Sequence, residues 1–203
     1  MTAEEQFWIW FVGHEAELFE FDPEDERNRE RLFDLLAVEL QKVYPDLTFE
    51  FSPQGRTREF VISAAGIKGA FPAVVSLAKS APTLERWRIT AFRPRRSPLN
   101  IVQIGTKRID PRDVQFTLLD NGKIAGIRLF IQGFQEGDVD LKQIGYLLLD
   151  EALGEYDVET RLGLIEMLPM SAGKDEDRHP LPDLPAMFDR LTSQLERRSG
   201  RPS

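Results

Sequence analysis

Cysteine is absent from the 203 residues, and histidine occurs only twice, at His14 and His179. The first absence excludes disulfides, thiolate metal sites, iron–sulfur clusters and thiol nucleophiles. The second excludes a multi-histidine metal centre. The aromatic run Phe7-Trp8-Ile9-Trp10-Phe11-Val12 is far shorter than the ~20 apolar residues that cross a bilayer, so no membrane association is expected. Glu4 and Glu5 stand where a secretory signal would carry basic residues, so no export segment is read there and the expected location is cytoplasmic. Positive charge is also in deficit, with 26 Lys and Arg against 34 Asp and Glu for a net charge of −8. That balance disfavours broad binding to nucleic acid but leaves room for a local basic patch.

What remains is ordinary folded-protein material, 41% hydrophobic and 30% charged, enough for one sizeable domain or two small ones. Gln6 to Val12 is apolar at nearly every position, which predicts a central strand covered on both faces. Asp22-Pro23 followed by Glu24, Asp25 and Glu26 marks a helix start, and Leu32, Leu35, Leu36, Val38, Leu40 and Val43 carry its apolar stripe up to Tyr44, where Pro45 stops it. Leu47 to Phe51 and Arg58 to Ala64 alternate as strands around the turn Ser52-Pro53-Gln54-Gly55. A second helix spans Phe71 to Ser80, and Trp87 to Ala91 alternates as a fourth strand. The expected fold class is α+β, with a ferredoxin-like βαββαβ sub-lobe over residues 1–96.

The second half predicts another α+β sub-lobe over 97–170. It holds a short strand near Asn100–Gly105 and a hairpin of Val114–Leu119 with Lys123–Ile131 around Asn121-Gly122. A helix over Leu141–Leu153, ended by Gly154, and a strand over Arg161–Met167 follow. The segment 171–203 reads as a charged, proline-rich linker and a terminal amphipathic helix, Leu184 to Arg198.

Charge is distributed in blocks. Eight positive residues and one negative occupy 86–112, whereas 1–30 nets −8 and 134–160 nets −7. Arginine forks two donors onto a carboxylate or phosphate. This makes Arg58, Arg88, Arg93, Arg95 and Arg96 candidate ligand-binding residues for an acidic protein, a peptide or a small anion. The competing reading pairs these arginines with the protein's own acids, such as those around Asp150–Glu155. Glu151 and Glu155 are the candidate carboxylates of an alternative reading, a small-molecule enzyme with Arg93, Glu151 and Glu155 in one pocket. Gly66-Ile67-Lys68-Gly69 lacks the spacing of a phosphate-binding loop, and neither Ser52 nor Ser63 sits in a nucleophile elbow beside His14. No cofactor, metal or catalytic set is expected, and the reading favoured is a non-catalytic interaction module.

Phe49-Glu50-Phe51, Arg58-Glu59-Phe60-Val61-Ile62-Ser63-Ala64, Phe71-Pro72-Ala73-Val74, Ala81-Pro82, Trp87 and Ala91-Phe92-Arg93-Pro94-Arg95 together resemble a bacterial family of uncharacterised proteins, a domain of unknown function, over about residues 49–95. The resemblance implies a bacterial cytosolic origin and carries no activity, cofactor or functional residue with it.

Overall fold

The computed structural model describes residues 1–173 and 176–200. It is a mixed α+β structure of seven α-helices and three small sheets. The chain divides into two units, Met1–Arg93 and Pro94–Ser203.

In unit 1 the order is α1 (Ala3–Gly13), α2 (Glu15–Glu20), α3 (Glu26–Val43), β1 (Thr48–Phe51), β2 (Arg58–Ser63), α4 (Phe71–Lys79) and β3 (Trp87–Ala91). The expected first strand is therefore a helix. An apolar run of this length does not distinguish a buried strand from a helix by periodicity, and the deciding signal lies upstream. Thr2 and Glu5 form a capping box: the Thr2 hydroxyl accepts from the Glu5 N–H at 3.2 Å, and the Glu5 carboxylate accepts from the Thr2 N–H at 2.8 Å. Phe7, Trp8 and Phe11 then turn inward on one face, while Ile9 stays 65% exposed.

Losing that strand changes the sheet, so the βαββαβ arrangement does not form. In a ferredoxin-like fold a first strand separates the two that here become β2 and β3. Without it they pair directly and in parallel, Arg58 opposite Trp87 through Ile62 opposite Ala91, with α4 as the crossover. β1 joins antiparallel on the other side, giving the order β1-β2-β3. The central strand β2 is buried at every position. Phe60 lies at the heart of an aromatic cluster, with the rings of Phe7, Trp8, Phe11, Phe49 and Phe51 at 5.1–6.2 Å from its own. The start of α3 also differs from expectation: Asp25, not Asp22, supplies the cap, accepting from the Asn28 N–H.

Unit 2 contains β4 (Val102–Ile104), β5 (Lys107–Ile109), β6 (Gln115–Asp120), β7 (Ala125–Ile131), α5 (Val139–Leu153), α6 (Glu155–Arg161), β8 (Leu162–Pro169), β9 (His179–Pro180) and α7 (Leu184–Arg198). β4 and β5 form a hairpin, and a second sheet has the order β8-β7-β6-β9. Its core is mostly aliphatic, with Ile127, Leu129, Ile144, Leu148, Leu149 and Leu184 fully buried. Gly154 ends α5 and begins α6 in a single residue at φ 83°, a conformation open to glycine at no steric cost. Within the expected linker, residues 174 and 175 lie outside the described residues. The rest contributes β9, a turn of 3-10 helix at Leu181–Asp183 and the start of α7.

Candidate functional site

Of the arginines singled out in the sequence, three belong to unit 1. Arg58 is only 3% exposed. Its Nη1 donates to the carbonyls of Leu18 (3.2 Å) and Phe19 (2.9 Å) near the end of α2, and its Nε donates to that of Ser52 (3.0 Å). Its guanidinium lies 4.1 Å from the Phe21 ring centre and 5.2 Å from that of Phe51. Burial pushes its pKa below the ordinary arginine value, and the carbonyls and ring faces replace the lost water. Arg88 stands opposite Glu59 in the β2–β3 register and pairs with it at 3.0 Å. The buried Glu59 also accepts from the Thr90 hydroxyl at 2.6 Å. Arg93 pairs with Glu50.

Arg95 and Arg96 belong to unit 2. Arg95 donates to the Leu153 carbonyl (2.8 Å), Asp157 (2.8 Å) and Asp189 (3.0 Å), tying together the end of α5, α6 and α7. Arg96 is fastened through its backbone N–H to the Glu151 carbonyl at 2.7 Å. Glu151 uses both carboxylate oxygens on Asn100, accepting from its N–H (2.7 Å) and its side-chain amide (3.1 Å). It therefore clamps the 96–100 segment against α5. Glu155 is fully buried.

The clamped segment forms one wall of an open cleft of about 780 Å³, within the usual range for ligand pockets. Pro98, Leu99, Ile101, Pro111, Pro182 and Pro185 line it, with Arg95, Arg96, Arg112 and Asp110 supplying its polar groups. The prolines make walls with almost no side-chain freedom to lose on binding. Arg112 shows how its fork takes a carboxylate. Its Nε and Nη2 donate to the two oxygens of Asp110 at 3.0 and 2.6 Å, and its backbone N–H to one of them at 2.9 Å. Those donors hold the Asp110 carboxyl at a pKa of about 2. The sequence marked Arg95 and Arg96 but not Arg112 or the prolines. The available signal was Asp110-Pro111, a cap and first-turn pair that begins the short 3-10 helix Pro111–Asp113.

Among the described residues no group of three or more His, Asp or Glu side chains is placed to hold a metal ion. No helix among them is long and apolar enough to cross a membrane. Comparison of the chain with family models, curated proteins and solved structures finds no match to any of them.

Proposed function

We propose that the chain is a non-catalytic binding module whose unit 2 cleft receives an acidic peptide segment of a partner protein. The observation that carries this reading is the cleft itself, which brings three arginines of the positive segment to one proline-walled opening. Apolar walls accept the body of such a segment, and guanidinium forks accept its carboxylates. Asp110 already occupies the Arg112 fork as an internal carboxylate, so an incoming acid competes with a group of its own kind. Of the seven residues marked in the sequence, Arg58, Arg88 and Arg93 serve unit 1, and Arg95 and Arg96 line this cleft, Arg95 with its guanidinium already on Asp157 and Asp189 so that an incoming acid competes there too. The alternative, an enzyme using Arg93, Glu151 and Glu155, has less support, because Glu151 is committed to Asn100 and Glu155 is buried.

The test is calorimetric titration with a panel of acidic, leucine-containing peptides and matched neutral peptides. Acidic members bind, their affinity falls between about 0.05 and about 0.5 M salt, and Arg96→Ala with Arg112→Ala weakens binding at least about tenfold. Binding that ignores both salt and the double substitution, or no binding by any acidic member, overturns the reading.

A further inference from the structure

Two edges close the four-stranded sheet of unit 2, and they are unequal. One is β9, a strand of two residues. The other is β8, eight residues long and bonded to β7 alone. Among the described residues no group outside β7 hydrogen-bonds the main chain of residues 162–168. Alternate N–H and C=O groups of such an edge point outward, ready to pair with another chain. Natural edges are commonly guarded by lysines, bulges or brevity. β8 has no lysine, its single charge, Glu166, is drawn back to Arg128 at 2.6 Å, and its one irregularity, a register shift that leaves Gly163 without a partner on β7, lies at the start of the strand, ahead of the continuous pairing of residues 164–169.

Beside this edge runs a groove of about 740 Å³. Ile165 and Met167, on the core side of β8, line it with Phe134 and with Lys142 and Tyr146, one turn apart on α5. Gly145 brings α5 down onto the strand: a Cβ there would lie 2.6 Å from the Met167 Sδ and Cε atoms. A strand edge flanked by a helix is the geometry in which an extended peptide gains main-chain bonds from the edge and side-chain specificity from the groove.

We propose that the β8 edge and this groove form a strand-addition site for an extended peptide with alternating apolar side chains, one acidic residue and one basic residue. The charges follow from Lys142 and Glu136, which both line the groove and form no ion pair with any described residue. A second copy of this chain is the rival occupant, and charge argues against it. The core-side residues of its β8, Ile165 and Met167, are uncharged, and its Glu166, which also borders the groove, is already held by Arg128. Its β8 alone would leave Lys142 and Glu136 unanswered.

The site is separate from the arginine cleft, so the two can fail independently. The probe is a set of fluorescent decapeptides alternating valine and threonine, with one glutamate and one lysine at permuted positions, read by anisotropy on the full chain. At least one member binds and protects amides of residues 162–169 from hydrogen exchange, and N-methylation of its alternate amides weakens binding at least about tenfold. Lys142→Glu weakens it about fivefold or more, and a peptide with lysine in place of the glutamate recovers the loss. Arg96→Ala with Arg112→Ala leaves it unchanged. The proposal is overturned if no member binds at about 1 mM, if N-methylation has no effect, or if the chain self-associates with residues 162–169 protected and no peptide added.

Discussion

Unit 1 is filled with aromatic rings and unit 2 with aliphatic chains. All three tryptophans and ten of the fourteen phenylalanines precede Pro94, and Phe60 sits among five of those rings. Unit 2 relies on leucine, isoleucine and valine. The difference extends to arginine. Ring faces and carbonyls allow unit 1 to keep the Arg58 cation inside. Unit 2 holds Arg95, Arg128, Arg161 and Arg198 against acids nearer the surface, and where it draws a guanidinium inward, at Arg178, it too uses a ring face, that of Phe130 at 3.7 Å. A cation is tolerated in a core only where something replaces its water, and quadrupolar ring faces do this where aliphatic groups do not.

The sharpest way to test that contrast is Phe60→Ala, which removes the centre of the aromatic cluster. We expect a loss of about 3–5 kcal/mol, measured by chemical denaturation followed through tryptophan emission, which reports unit 1 alone. Arg58→Ala comes next, at about 3 kcal/mol, because the Leu18 and Phe19 carbonyls lose a charged donor. Arg58→Met, which keeps the bulk, should cost less. If Arg58→Ala falls within experimental error of wild type, the buried guanidinium does not hold α2 to β2. In unit 2, Gly145→Ala forces the flexible end of Met167 aside and should cost about 1–2 kcal/mol. Hydrogen exchange would slow less in β7 and β8 while tryptophan emission stays unchanged.

The smallest effect concerns acid. Arg86 holds Glu15 through a two-pronged contact, with Nε at 3.2 Å and Nη2 at 2.9 Å, and the Trp87 indole donates to Glu15 at 2.9 Å. These bonds, the Arg86 one foremost, lower the Glu15 pKa below 4.5 against the opposing effect of burial. A carboxyl whose folded pKa is depressed stabilises the fold above its unfolded pKa, and that contribution is lost as pH falls through the folded value. Glu15→Gln should therefore differ from wild type near neutrality, and the gap should begin to narrow as pH falls below about 4.5 and close once it has passed the lower folded value. A gap that does not narrow at all as pH falls below about 4.5 would mean the contact acts through packing and not charge.

Much of this architecture could be read from residue pattern. Alternation located β1, β2 and β3 within a residue or two, and the apolar stripe of Met187, Phe188, Leu191 and Leu195 gave α7 its bounds. Other elements left weaker traces. α1 is apolar all round, so it lacks the one-sided stripe that marks a surface helix. α2 spans only six residues, less than two turns. α6 was hidden because Gly154 reads as a stop although it also serves as a start. The site was half legible for a related reason. Arg58 shares the parity of Phe60 and Ile62, which already points it into the core, yet charge alone suggested a surface. Arg112 and the prolines of the cleft come together only through tertiary folding, since more than sixty residues of chain separate Pro111 from Pro182 and Pro185.

The unequal edges of the unit 2 sheet govern how it could grow. Unlimited end-to-end stacking needs two adhesive margins on each building block, and a two-residue β9 offers almost no surface to adhere to. Growth at this sheet would stop after a single added strand, so recruitment at β8 need not expose the chain to runaway fibre formation through the same sheet.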